Sequence, residues 1–126
     1  MLKQPPVLLL VEDDDFLCNI YRTKFEMEKF KVFVATDGVE GLDTAKKKRP
    51  DIILLDVLMP KMDGFEVLEN LKKDSDLVGI PVVLLTNLGQ KDDVTKGLQL
   101  GAVDYLIKAH FKPSETVEKI KRILQM

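Results

Sequence analysis

Residues 51–64 read Asp51-Ile-Ile-Leu-Leu-Asp56-Val-Leu-Met-Pro60-Lys-Met-Asp63-Gly64. The aliphatic run is too short for a globular helix and stops at a carboxylate followed by turn residues. It predicts a buried strand that delivers Asp56 to a loop. A strand apolar on both faces belongs in the middle of a parallel sheet covered by helices on each side. In such sheets ligands collect at the carboxyl ends of the strands, where the strand order reverses, and Asp56 is expected at that edge.

Upstream, Arg49-Pro50 closes a helix, because the residue before proline is pushed out of helical geometry. That helix has Val39, Leu42 and Ala45 at helical spacing and Asp37 as its cap, after a short strand Lys31-Val-Phe-Val-Ala35. Earlier still, the aliphatic run from Val7 to Val11 ends in Glu12-Asp13-Asp14-Asp15, a second strand that finishes in acid. Residues 15–28 follow it as a helix, with Phe16, Ile20 and Met27, and Leu17, Tyr21 and Phe25, at helical spacings and Asp14 or Asp15 as N-cap. Cys18 is read as a packing residue on a face of that helix.

Downstream, Asp63-Gly64 is a turn and helix start, and Phe65, Leu68 and Leu71 mark a third helix. Residues 80–86 form a fourth strand whose proline, Pro81, falls at its start, where a missing N–H is tolerated. Residues 91–100, with Val94 and Leu98, form a fourth helix that Gly101 ends. Residues 103–107 are a fifth strand running into Lys108, and Pro113 opens a last helix with Val117, Ile120 and Ile123 or Leu124 inward. Strict strand–helix alternation calls for a three-layer α/β fold around a parallel sheet with right-handed crossovers, and the 126 residues suffice for one domain, 1–126.

Nineteen basic against 21 acidic residues give a net charge of −2, which leaves no electrostatic footprint for direct binding to nucleic acid or to a membrane. A single cysteine without a Cys/His cluster excludes an internal disulfide and a zinc site. The amino terminus lacks a hydrophobic signal core and no apolar run is long enough to cross a bilayer, so a cytoplasmic protein is expected.

Four strand ends carry polar groups: Glu12 and Asp13, Asp56, Thr86, and Lys108. In a parallel sheet these ends share one edge. Two carboxylates about 4 Å apart repel by roughly 4 kcal/mol at an effective dielectric near 20, so three gathered together demand a cation. Oxygen ligands without histidine or cysteine favour Mg²⁺ or Mn²⁺. Beside such an ion, Lys108 supplies positive charge and Thr86 a hydroxyl donor to a phosphoryl oxygen, which makes Asp56 the natural nucleophile for an aspartyl phosphate. Taken singly, these residues have blander readings: a solvated acidic loop, a strand-end threonine, a solvated lysine. Their joint spacing is what points to chemistry.

From Val7 to Leu124 the sequence resembles the receiver domain of two-component response regulators. The motifs are Val11-Glu12-Asp13-Asp14, Asp56-Val-Leu-Met-Pro60-Lys-Met-Asp63-Gly64, Leu85-Thr86 and Gly101-Ala-Val-Asp-Tyr105-Leu-Ile-Lys108. The resemblance implies a flavodoxin-like, CheY-like, doubly wound (βα)5 sheet with strand order 2-1-3-4-5. It implies Asp56 as phosphoacceptor, Asp13 as direct metal ligand, and Glu12 as a ligand acting through water. It also implies the Leu58 carbonyl in the metal shell, Thr86 as switch hydroxyl, Lys108 as phosphate contact and Tyr105 as switch aromatic.

A sensor histidine kinase or phosphotransfer protein would donate the phosphoryl group in trans. A downstream protein would read the face formed by the fourth helix, fifth strand and fifth helix, with the chain a monomer or a phosphorylation-dependent dimer. Since the sequence ends with the last helix, no output domain is expected, and the chain is not expected to be an enzyme beyond its own phosphorylation and dephosphorylation.

Two positions depart from the family pattern. Ala109 follows Lys108 where proline is usual, and a cis bond there would cost about 3 kcal/mol, so a trans or strained loop is expected. Asn87 follows Thr86 where a small residue is usual, near the phosphoryl entrance. His110, in the same loop as Ala109, is read as a surface residue. Two other readings share these residues: a pseudo-receiver that binds partners without switching, and a Mg²⁺-dependent phosphohydrolase using the same aspartyl phosphate. Against the latter, the nucleophile strand lacks a DxD pattern and no cap domain is seen.

Overall fold

In the computed structural model, which describes residues 2–59, 61–87, 91–108 and 112–126, five strands alternate with five helices. The strands are β1 Val7–Val11, β2 Lys31–Ala35, β3 Ile52–Asp56, β4 Val82–Thr86 and β5 Asp104–Ile107. The helices are α1 Asp15–Met27, α2 Gly38–Lys48, α3 Gly64–Lys73, α4 Lys91–Gln99 and α5 Pro113–Ile123. All strand pairs are parallel, in the order β2-β1-β3-β4-β5. This is the flavodoxin-like three-layer α/β architecture that strand–helix alternation and family resemblance pointed to.

The unbroken aliphatic runs occupy the middle of the sheet: every residue of β1, β3 and β4 is buried. Their side chains alternate between two cores. Leu9, Val11, Ile53, Leu55, Val82 and Leu84 pack with Leu42 and Ala45 of α2 and with Phe65, Leu68 and Leu71 of α3. On the opposite face, Leu8, Leu10, Ile52, Leu54, Val83 and Leu85 pack with Cys18, Tyr21 and Phe25 of α1 and with Val117 and Ile120 of α5. Leu10 stands beside Leu54, and Asp56 beside Leu85, so the central strands reach the carboxyl edge in step.

Local chemistry sets the ends of the helices. Asp14 caps α1 by accepting from Leu17 N, Asp37 caps α2 by accepting from Glu40 N, and Asp63 caps α3 by accepting from Glu66 N. Arg49, in the left-handed conformation, closes α2 ahead of Pro50. The fourth strand starts at Val82 rather than at residue 80: Ile80 N bonds back to Leu77 O in a turn, and Pro81 contributes only its carbonyl, to Ile53 N. The fifth strand likewise starts one residue late, at Asp104.

Two helices bury faces that periodicity did not give: in α1 it left two stripes open, and in α4 it marked Val94 and Leu98. In α1 the buried set is Cys18, Tyr21 and Phe25, while Phe16 is 72% and Met27 67% exposed. In α4 the buried residue is Gly97, which lies so close to β4 that a Cβ there would run into Leu84 Cδ1, and Leu98 is exposed. No helix among the described residues is long and apolar enough to cross a membrane.

Candidate functional site

β1 and β3 end side by side, which brings Glu12 and Asp56 together beneath the surface. Glu12 is fully buried and Asp56 nearly so, while Asp13, one residue further along, is exposed. One carboxylate oxygen from each of Glu12, Asp13 and Asp56 lies within 4.8 Å of the other two. Lys108, just beyond β5, reaches across the edge: its Nζ is 2.9 Å from Asp56 Oδ2 and 2.7 Å from Glu12 Oε1. The contact with Asp56 is a hydrogen bond and the closer one with Glu12 an ion pair, so one ammonium bridges the two buried carboxylates.

Backbone groups hold the remaining carboxylate oxygens. Asp14 N donates to Glu12 Oε2 at 3.0 Å, and Leu58 N donates to Asp56 Oδ1 at 3.2 Å. Burial pushes the Glu12 carboxyl up to about 7, with the Asp56 charge adding to the effect and the Lys108 contact opposing it. For Lys108, burial disfavours the charge, but the partners Glu12 and Asp56 outweigh it and hold the ammonium above its ordinary range. One ammonium therefore faces three carboxylates. An all-oxygen donor set of three carboxylates against one ammonium suits a hard divalent cation better than any soft metal.

Thr86 ends β4 one register step beyond the Asp56–Leu85 pair. It is 2% exposed, and its hydroxyl has no hydrogen-bond partner among the described residues. A group held dry and unpaired is placed to bond something that arrives. Leu58, exposed in the loop after Asp56, touches the site through its backbone N–H. Tyr105 sits away from the cluster on the rim of β5, 36% exposed; Lys119 Nζ donates to its carbonyl at 3.2 Å and lies 5.9 Å from its ring centre. Asn87 is exposed. Ala109, His110 and Leu88 lie outside the described residues.

Sequence reasoning placed Lys108 at the edge as a phosphate contact but missed that it bridges Glu12 and Asp56. It read Asp63-Gly64 as a turn and helix start, which it is, but not as a close contact with the end of β3. Gly64 N donates to Val57 O at 2.9 Å, and a Cβ on Gly64 would run into the Asp56 carbonyl oxygen. The glycine that starts α3 thus lets the loop fold directly over the residue that ends β3.

The model of the response regulator receiver domain family matches residues 8–121. The chain belongs to that family. Receiver domains are modules of two-component signalling systems, and the acidic cluster of Glu12, Asp13 and Asp56 fits their divalent-cation site. Among curated proteins, the DNA-binding dual master transcriptional regulator RpaA of Synechocystis is 37% identical over 120 residues, which are 95% of this chain and 49% of that protein. The chain spans about half the length of the curated relatives it matches.

Among solved structures, the receiver domain of Francisella response regulator 1452 is 31% identical with a TM-score of 0.86, covering 95% of this chain and 97% of that one. The receiver domain of a sensor histidine kinase, PA1611 of Pseudomonas aeruginosa, is 27% identical with a TM-score of 0.85, covering 93% of this chain and 95% of that one. Its structure has a magnesium ion coordinated in the active-site cleft.

Proposed function

We propose that this receiver domain accepts a phosphoryl group on Asp56 from a phosphohistidine on a kinase or phosphotransfer protein, and that the modified form presents an altered surface to a protein partner. The observation that carries the reading is the buried junction in which Lys108 contacts both Glu12 and Asp56 with the Asp13 carboxylate alongside. A structural ion pair needs one acid per base; here two of the three carboxylates are surplus unless a cation joins them.

Glu12, Asp13, Asp56 and the Leu58 carbonyl would hold Mg²⁺ or Mn²⁺, whose charge offsets that of the incoming phosphoryl oxygens. Asp56 supplies the nucleophile: a carboxylate oxygen bonds to phosphorus as the phosphorus–nitrogen bond of the donor breaks, and the imidazole leaves with that electron pair. Leu58 N–H steadies Asp56 Oδ1 during attack. Lys108 is positioned to exchange a carboxylate contact for a phosphoryl oxygen, and the Thr86 hydroxyl to donate to another. With Thr86 drawn inward, Tyr105 would turn from the rim into the space released, changing the face formed by α4, β5 and α5. The chain acts here as one cytoplasmic domain, 1–126, and catalyses nothing beyond its own modification.

Incubation with Mg²⁺ and acetyl phosphate, followed by intact mass measurement, is expected to show a single phosphoryl adduct that disappears in Asp56→Asn and when Mg²⁺ is withheld. An adduct that persists in Asp56→Asn would overturn the assignment of the acceptor. No adduct from either acetyl phosphate or a phosphohistidine donor would leave a domain that binds without being switched.

A further inference from the structure

Beyond the cluster itself, the loop after β3 is gripped from a second direction. α2 lies against the end of β1 through Gly41, where a Cβ would fall 2.8 Å from Val11 Cγ1. One turn earlier, Gly38 meets the same loop: a Cβ there would run into the Met62 carbonyl oxygen and sit 2.7 Å from its carbon. The two glycines, three residues apart, lie on one side of the helix, so α2 is pressed at once onto the strand that delivers Glu12 and onto the loop that follows Asp56.

Asp37 adds a polar clasp. Its Oδ1 caps α2 at Glu40 N, 2.8 Å away, and its Oδ2 lies 3.5 Å from Lys61 Nζ. Lys61 stands in the left-handed region, φ 68°, so the loop turns sharply where the clasp catches it. At its far end the loop is closed by Gly64 against Asp56 and Val57.

We propose that the first turn of α2, through Asp37 and Gly38, is a positioning buttress that sets the height of the β3–α3 loop and thereby the place of Leu58 beside Asp56. The inference rests on the cation and phosphoryl reading above, and adds that Asp37, Gly38 and Lys61, none of which touches the ion or the phosphoryl group, tune how tightly the site closes on a cation. The reasoning is geometric. The Gly38–Met62 contact has no slack, because α2 cannot retreat from β1 without losing the Gly41 fit. A methyl group at residue 38 must therefore lift the loop, and Leu58 N–H would be drawn off Asp56 Oδ1 with it.

The test compares wild type, Gly38→Ala, Lys61→Ala and Lys61→Arg, with Asp13→Asn as the control for the metal site. It has two readouts: Mn²⁺ dissociation constants, and hydrogen exchange of the Leu58 amide in metal-free protein. Positioning groups outside the first coordination sphere typically alter metal affinity at least tenfold, so Gly38→Ala is expected to weaken Mn²⁺ binding about 10-fold and to speed Leu58 exchange. Lys61→Ala, at an exposed pair that folding does not depend on, is expected to weaken binding about twofold with an unchanged urea midpoint, and Lys61→Arg to restore it.

If wild type binds through Asp13 while Gly38→Ala and Lys61→Ala bind as tightly, the buttress is overturned and the metal site stands. If wild-type binding ignores Asp13→Asn, the metal reading falls. In that case Leu58 exchange alone decides the buttress: acceleration in Gly38→Ala upholds it, and an unchanged rate overturns it. Should Gly38→Ala not fold, the Lys61 pair of variants carries the same decision.

Discussion

Along β4 every residue from Val82 to Thr86 is buried, whereas its neighbour β5 has no fully buried residue and leaves Tyr105 36% exposed. The helices repeat the contrast. α3 buries five residues, Gly64, Phe65, Val67, Leu68 and Leu71, while α4 buries Gly97 alone. Glu12, Asp56 and Thr86 are thus fixed at the ends of inner strands buried on both faces, whereas Lys108 and the surface that would respond lie on a thinly packed edge. Local opening free energies follow buried apolar contact, so the edge can move at small cost while Glu12 and Asp56 stay aligned.

Unequal packing is the first thing to break. Leu84, wholly buried on β4 and touching α4 at Gly97, is expected to cost about 3 kcal/mol on Leu84→Ala, whereas exposed Leu98→Ala on α4 should change stability by no more than about 0.5 kcal/mol. Urea unfolding of the two variants measures the gap, and equal losses would remove the distinction between centre and edge.

Next in size is Lys108→Ala. It leaves Glu12 and Asp56 facing each other without their ammonium, at a site where the lysine side chain is only 17% exposed. Stripping one partner from a buried charge cluster is expected to lower stability by about 2 kcal/mol in chelator. Mg²⁺ should recover much of that loss, by standing in for the missing charge. A deficit indifferent to Mg²⁺ would mean that packing rather than charge was removed.

The smallest effect belongs to two leucines that follow the acceptor and the strand-end threonine in the sequence. Leu58 and Leu88, two positions after Asp56 and Thr86, offer no side-chain hydrogen bond to a water attacking an aspartyl phosphate. The double variant Leu58→Asn, Leu88→Glu is expected to lose its phosphoryl group severalfold faster than wild type in a phosphate-release assay. Matched decay rates would defeat the idea that these two positions set the lifetime.

What could be read from the residues followed the same divide. The inner strands announced themselves, because an aliphatic run ending in acid has few other structural solutions, and the acids, Thr86 and Lys108 then had to share an edge. Helix faces were less legible. α1 carries two apolar stripes, and only contact with the sheet decides that Cys18, Tyr21 and Phe25 go inward and Phe16 and Met27 outward. α4 and the start of α2 approach their neighbours through Gly97 and Gly38, residues that leave no hydrophobic signal. The Lys108 bridge and the Asp37–Lys61 clasp depend on distances between elements far apart in the chain, which periodicity does not encode.

The strict alternation of the inner strands between two cores also bears on how such a chain can change over time. In β3, Ile52 and Leu54 serve one core and Ile53 and Leu55 the other. Losing or gaining a single residue within β3 would exchange both allegiances together and turn Asp56 to the opposite side. The length of β3 is therefore held more tightly than its composition, and added residues are accommodated more readily in a connection such as that between Lys73 and Val82.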